Sequence, residues 1–488
     1  MPQLVKTTPN NKAIAIKFAT FFMIDSKYKI NPFSPNFLHW VDEVYKNHDN
    51  SAYVSTKLIK NWGADATFLS QLHSLSPKIA KKLPTFFAAK LLTDARAFEQ
   101  CTSEAVARWK ANAFPVKKLL SITGGLGIDD WAWAITGTEV HSVDPNEALN
   151  GWVIHNAERL NVEIHRTTNT AENELELLET NPENAGYNLI YIDPDRRPNG
   201  TRKSFDAADY LPNVFELIGK HPNIAPRWLI KMSPMVDPTW IHNQFSCRTK
   251  IFAVGLNGEV KEILVEAFPN EARGDAMDVD AICLETTLDE KTQVLQTQVF
   301  TFSDGIKDEM LSETLQSNEI LSANVSLLTS ANESMLTSAN ESLLTKESSP
   351  AEATYLFEPS VTLFAACLQK HIPERFNIAA ATPNHHFFVA RFPLPAAFGR
   401  SLKVSNTFSG SLRSIQQQLH PLLTSNPNPK GKKSLPQLNV TPRDCGMNTQ
   451  DIKKILQVSD GGNQYLFITR NNKQFTAWLG SIAPRKNQ

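Results

Sequence analysis

Thr123-Gly124-Gly125-Leu126-Gly127-Ile128-Asp129 joins a short apolar run, Lys118 to Thr123, to a helical stretch. Glycines at such a junction let the backbone turn sharply and approach a ligand with no Cβ in the way. Alone, the turn is a weak nucleotide signal, and its neighbours carry the weight. Asp144, 17 residues beyond Gly127, ends the next apolar run, Val140 to Val143. A carboxylate there can accept hydrogen bonds from both hydroxyls of an adenosine ribose. Asn169 lies just past the third strand, where adenine contacts fall. The candidate cofactor-binding residues are therefore Thr123, Gly124, Gly125, Gly127, Asp144 and Asn169. A nicotinamide fingerprint needs a third glycine where Asp130 stands, which disfavours a dehydrogenase.

Outward from this turn, strands alternate with helices. Apolar runs recur at Leu189 to Ile192 and Trp228 to Met232, separated by helical stretches over Glu147 to Leu160 and Phe205 to Lys220. This alternation predicts a parallel sheet covered on both faces. The pattern then changes: Ile251 to Leu256 and Val260 to Val265 flank Asn257-Gly258, the signal of a type I′ hairpin. Upstream, Phe86 to Leu92 and Ala105 to Trp109 have helical spacing, with Ser103 as a candidate N-cap.

The fourth strand delivers Asp193-Pro194-Asp195-Arg196-Arg197-Pro198 to the sheet edge at which open α/β folds bind ligands. Asp193 can orient an amine or ring nitrogen, Pro194 can fix the loop, and Arg196 can bind phosphate or stack on a base. These three are the candidate catalytic residues. The alternative is a structural loop whose charges pair with one another. Lys231-Met232-Ser233-Pro234, closing the fifth strand, is a second-tier candidate. His385-His386 has no carboxylate or cysteine cluster beside it, and no metal site is expected.

At 488 residues the chain is long enough for three or four domains, and 41% hydrophobic with 20% charged residues is ordinary for a globular protein. Five cysteines without a C-x-x-C pair fit a reducing compartment, and Ala13 to Ile24 is too short for a membrane span and a poor signal peptide. A cytoplasmic protein is expected. Net charge is −1, yet residues 391–488 hold 14 Lys and Arg against three acids, a local +11. A basic tail on an acidic body suggests a polyanion partner, with a solvated surface as the alternative. Between 313 and 350 the sequence is of low complexity: Leu328 to Ser334 recurs as Leu336 to Ser342, too polar to bury a core.

Four stretches together resemble a recognisable group: Glu99 to Glu104, Thr123 to Asp129, Asp193 to Arg197, and Leu456 to Tyr465 with Asp460-Gly461-Gly462. The chain is similar to bacterial class I methyltransferases with ferredoxin-like and THUMP-like modules at the C-terminus, over most of its length from about residue 37. The resemblance implies S-adenosylmethionine as cofactor, held at the Gly turn and Asp144, and an RNA substrate. Two departures stand out. Ser121 occupies a position that is usually acidic in this group. Asp195 and Arg196 replace the second proline and the aromatic of the Asp/Asn-Pro-Pro-aromatic loop of amino methyltransferases.

The expected fold is α/β, a Rossmann-like class I methyltransferase sheet, mostly parallel with a terminal antiparallel hairpin. The expected domains are an N-terminal helical region (1–115), the methyltransferase domain (116–270), a connecting segment (271–312), the repeat insertion (313–350), a ferredoxin-like domain (351–430) and a THUMP-like domain (431–488). The expected function is methyl transfer to an RNA base nitrogen, with no membrane or metal partner. The alternatives are an inactive RNA-binding protein on the same fold, or a methyltransferase of proteins or small molecules.

Overall fold

The computed structural model describes residues 34–180, 186–196, 210–288, 295–303, 354–423, 435–471 and 474–484. The repeat segment and Ala13 to Ile24 lie outside them. The chain divides into two units, one running to Lys250 and adding Leu264–Met277, the other taking Ile251–Ile263 and the chain from Asp278 onward.

In the first unit, six α-helices among the described residues precede the sheet: α1 (Pro35–Lys46), α2 (Thr56–Trp62), α3 (Ala66–Lys82), α4 (Pro84–Ala88), α5 (Ala95–Gln100) and α6 (Glu104–Ala113). Phe37, Val41, Val44 and Tyr45 fall on one stripe of α1 and are buried, the spacing that drives an amphipathic helix into a core. Ser103 is the N-cap residue of α6 but makes no side-chain cap bond. The next residue, Glu104, accepts from Thr85 N (2.8 Å) and is paired with Arg108 (3.0 Å).

The sheet begins with β1 (Lys118–Ile122), β2 (Glu139–Val143), β3 (His165–Thr167) and β4 (Leu189–Ile192), followed by a small ribbon of β5 (Asp195–Arg196) and β6 (Tyr210–Leu211), then β7 (Trp228–Met232). Parallel pairing joins β3 to β2, β2 to β1, β1 to β4 and β4 to β7. The connecting helices are α7 (Ile128–Ala134), α8 (Glu147–Arg159), α9 (Ala171–Thr180), α10 (Val214–Lys220) and α11 (Pro238–Gln244). Leu119, Leu120, Ser121 and Ile122 are all buried, as a strand covered on both faces requires. Of the helix expected over Phe205 to Lys220, Val214–Lys220 is helical, and Phe205 to Asp209 lie outside the described residues. Asn213 accepts from Glu216 N as its N-cap, and Tyr210–Leu211 is spent on the ribbon.

Next come β8 (Cys247–Leu256) and β9 (Glu259–Ala272), joined by Asn257 and Gly258 at φ +52° and +83°. Both central residues are left-handed, as a type I′ turn demands. The segment read as a connection holds two further strands, β10 (Asp278–Leu288) and β11 (Leu295–Ser303), which pair antiparallel. In hydrogen-bonded order the nine strands run β3-β2-β1-β4-β7-β9-β8-β10-β11.

In the second unit, a seven-stranded sheet is built from β12 (Tyr355–Pro359), β13 (Ala379–Ala380), β14 (Phe388–Ala390), β15 (Gly399–Gly410), β16 (Asn439–Arg443), β17 (Tyr465–Asn471) and β18 (Gln474–Ile482), in the order β13-β14-β12-β15-β18-β17-β16. Its helices are α12 (Val361–Ala365), α13 (Ile372–Phe376), α14 (Leu412–Leu419) and α15 (Thr449–Leu456). Leu412, Ile415 and Leu419 of α14 pack with Ile452 and Leu456 of α15 in one apolar cluster. β15 pairs through Gly399–Lys403 with β12 and from Leu402 onward with β18. One sheet therefore carries strands from both sides of residue 430.

Candidate active site

The parallel strands end together on one edge, and the Gly turn leaves β1 there. Thr123 N and Gly124 N both donate to Val143 O, tying the turn to β2. Each glycine has a different reason to be one. A Cβ on Gly124 would lie 2.1 Å from Arg166 Nη1, and one on Gly127 would lie 2.9 Å from Val153 Cγ1 at φ +74°. At Gly125, φ +52°, a Cβ would meet only Thr123 O at 3.9 Å. That side of the turn is open, as a ligand-facing backbone must be.

Asp144 follows β2 directly. Its Oδ2 accepts from Gly125 N and its Oδ1 from Asn146 N, both at 2.9 Å, and its side chain is 12% exposed. A carboxylate has about four acceptor sites, so roughly two remain for a ligand's hydroxyls. The carboxylate is thus oriented by backbone and still has capacity, which fits the ribose of an adenosine cofactor. Asp129 and Asp130 stand in the first turn of α7, where a dinucleotide fold would seat its pyrophosphate. Acidic groups there oppose a phosphate ligand.

Beside the turn, β4 and β7 bring a second group of charges together. The register Ile192↔Ile230 makes Asp193 and Lys231 the next pair but for the strand end, and Lys231 Nζ lies 2.5 Å from Asp193 Oδ2. Asp193 N donates to Thr123 Oγ1 (2.8 Å), fastening this loop to the Gly turn. Deeper in, Lys110, fully buried on α6, lies 2.8 Å from Asp129 Oδ1 and donates to Tyr191 OH (2.9 Å). Tyr191 OH (3.0 Å) and Thr102 Oγ1 (2.7 Å) donate to Asp129 Oδ2. Burial alone would raise the Asp129 carboxyl, but the charges of Lys110 and Lys231 and hydrogen bonds from Lys110 and Thr102 hold it below its usual range. For Asp130, burial wins: its carboxyl is raised despite Arg166 and the Ser121 and Ser142 hydroxyls.

Thr123, Gly124, Gly125, Gly127 and Asp144 therefore meet in one place, with Asp193 fastened to them. Pro194 is buried next to Asp193, and Asp195 and Arg196 enter the ribbon opposite Leu211 and Tyr210. The Arg196 side chain and Arg197 lie outside the described residues. Asn169 donates through Nδ2 to Glu174 (2.9 Å), and its Oδ1 accepts from Thr170 N. His386 pairs with Asp444 (2.6 Å). Among the described residues no three His, Cys, Asp or Glu gather as a metal set, and no helix is long and apolar enough to cross a membrane.

Sequence reasoning missed Lys110, Thr102, Tyr191 and Arg166. Thr102 sits in the Glu99–Glu104 stretch already singled out, and Lys231 is a charge in an otherwise apolar buried strand. Lys110 and Arg166 had no such mark, because burial of a long cation shows only once its partners are known.

The architecture is the Rossmann-like sheet of class I methyltransferases, with the hairpin β8–β9 set so that β9 lies next to β7. It is similar to a crystal structure from Porphyromonas gingivalis W83 named "putative methyltransferase", at 19% identity and a TM-score of 0.64, over 90% of this chain and 98% of that one. A methyltransferase from Agrobacterium tumefaciens overlaps 35% of this chain and 63% of its own (18% identity, TM-score 0.27). TrmK of M. capricolum with S-adenosyl-homocysteine overlaps 35% and 70% (11% identity, TM-score 0.26). Of the three, the first spans the fold and the others about a third of the chain. No protein-family model matches the chain, and no curated protein is similar to it in sequence.

Proposed function

We propose that this chain is an S-adenosylmethionine-dependent methyltransferase acting on RNA, at a base nitrogen. The observation that carries the reading is the convergence of the open Gly125 turn, the backbone-held Asp144 and the Asp193–Lys231 pair at one edge of the sheet. Bound there, the cofactor supplies an electrophilic methyl group on sulfur. Asp144 accepts the ribose hydroxyls, the turn of Thr123, Gly124, Gly125 and Gly127 gives close backbone approach, and Asn169 stands on the adenine side. Lys231 engages Asp193 Oδ2, so the other oxygen is left to accept an N–H of the acceptor base and orient its lone pair. Pro194 stiffens the loop, and Arg196 is the residue to bind phosphate or stack on a base of the substrate.

The RNA assignment rests on charge. Residues 391–488 carry a net +11, and Arg391, Lys403, Arg413, Lys454 and Arg470 are exposed in the second unit. In this reading a ferredoxin-like domain (351–430) and a THUMP-like domain (431–488) recruit the RNA electrostatically, after a methyltransferase domain (116–270) and a helical region (1–115), in a cytoplasmic protein. The test is incubation with methyl-labelled S-adenosylmethionine and RNA from cells lacking the gene. Label should enter RNA and vanish with Asp193→Ala. Cofactor binding without any RNA labelling would refute the substrate, and no binding would refute the enzyme.

A further inference from the structure

Behind the Gly turn lies a cation to which the reading above gives no task. Arg166 leaves the edge strand β3 with its side chain 1% exposed. Its Nε donates to Asn150 Oδ1 (2.7 Å), Nη1 to Ser142 Oγ (2.6 Å) and Nη2 to the Gly125 carbonyl (2.7 Å). Nη1 is also 3.2 Å from Asp130 Oδ2, and Nη2 is 3.9 Å from Asp144 Oδ2. Asn150, oriented by Nε, donates through Nδ2 to the Asp144 carbonyl (2.9 Å) and to Thr168 Oγ1 (2.8 Å). Gly125 N in turn donates to Asp144. The connections close on themselves: one guanidinium holds the turn directly and holds the Asp144 backbone through Asn150, while turn and carboxylate hold each other.

The fit is tight, because a methyl group on Gly124 would collide with both Nη1 and Ser142 Oγ. Burying a charge pair such as Arg166 and Asp130 is a costly way to fill space, and apolar side chains of similar volume often stabilise as well or better. What the planar fork adds is fixed direction, with several donors aimed at separate elements.

We infer that Arg166 is a positioning residue for the cofactor cradle: seated on Asp130, it fixes the Gly125 turn against the Asp144 carboxylate and so sets affinity for the adenosine part of the ligand. The inference rests on the cofactor reading above, and its test separates the two. Binding of S-adenosylhomocysteine and of adenosine to the full chain is measured by calorimetry for the unmodified protein, Arg166→Lys, Arg166→Met, and Arg166→Met with Asp130→Leu. The last variant removes both buried charges, since Arg166→Met alone leaves Asp130 without its partner and can unfold the chain. Arg166→Lys keeps a charge for Asp130 and loses the fork.

Each folded variant should bind both ligands about tenfold more weakly or worse, the two by the same factor, as loss of a charge-assisted hydrogen bond implies. A second prediction is coupling: adding Asp144→Asn to Arg166→Lys should weaken binding by much less than the product of the two separate losses, a dependence that a distant structural role would not produce. Arg166→Lys and the paired variant binding within about twofold of the unmodified chain, or losses that multiply with Asp144→Asn, would overturn the inference. If the unmodified chain binds neither ligand, the cofactor reading falls, and this inference with it.

Discussion

Thr123 adopts φ +83°, a conformation that costs a β-branched residue on the order of 1 kcal/mol or more. Two contacts hold it: its hydroxyl accepts from Asp193 N and its own N–H donates to Val143 O. Thr123→Ser retains the acceptor and sheds the branch, so its stability should match the parent within about 0.5 kcal/mol. Thr123→Ala should cost about 1 kcal/mol. Urea unfolding of the two variants checks this, and equal losses would remove the hydroxyl from the account. The buried pair of Lys110 and Asp129 makes a stronger demand. Lys110→Met should cost about 3 kcal/mol or more by leaving Asp129 without its nearest cation, and adding Asp129→Leu should recover much of that. If the double variant is no more stable than the single one in the same assay, the pair is not the source of the loss. At this scale the sequence singled out Asp144, Asp193 and the glycines, because motif spacing encodes a position at a strand end. It read Ser121 as a missing acid and Asp130 as a misfit in a glycine place. The two belong together: the Ser121 hydroxyl is one of the groups that favour the ionised form of the buried Asp130 carboxyl.

Among the elements, those that stand on one local rule came out as read. β4 and β7 keep the expected bounds, and α15 runs from Thr449 to Leu456. The hairpin turn did as well, and it allows a clean test. Nothing lies within 4 Å of a Cβ on Gly258, so Gly258→Ala meets only the strain of φ +83° and should cost about 1 kcal/mol. A loss near zero in thermal or urea unfolding would mean that the turn rearranges. Asn257 does more than turn: its Oδ1 accepts from Thr286 N (2.9 Å) and its Nδ2 donates to Thr286 Oγ1 (2.8 Å), bracing β10. Asn146, the N-cap of α8, accepts from Leu149 N, and Asn146→Ala should cost about 1 kcal/mol. Strands β10 and β11 pair with each other across a short stretch of chain; they escaped the reading because their own composition is too mixed to announce a strand.

For the whole molecule, two buried histidines tie stability to pH. Burial pushes His141 and His155 down to about 4 from the ordinary 6.5. His141 is held by Tyr187 OH (2.7 Å) and Thr167 Oγ1 (2.9 Å). Between these values the unfolded chain binds protons that the folded one refuses. Their contribution is therefore fully present above pH 6.5 and is lost as pH falls toward about 4. Urea midpoints should drop over that window, and His141→Gln should flatten the slope; a midpoint independent of pH there would contradict the assignment. The basic segment of residues 391–488 carries its own prediction: if it neutralises phosphates, RNA affinity should fall linearly with salt on logarithmic axes. A flat salt response would assign the charge to solubility.

The sequence by itself determined the sheet that carries the candidate site, the Gly turn with Asp144 at its edge, and the hairpin that ends the parallel run. Each of these is written in local terms, as hydrophobic period, turn chemistry or residue spacing along a few dozen positions. Only the tertiary structure decided which cations stand behind the site. Arg166 reaches Gly125 across 41 positions of chain, and Lys110 reaches Tyr191 across 81. It also decided that β12 through β18 form one sheet and that Thr102 joins Asp129. Such pairings depend on which elements become neighbours once their apolar faces are buried, and no window of sequence contains both partners.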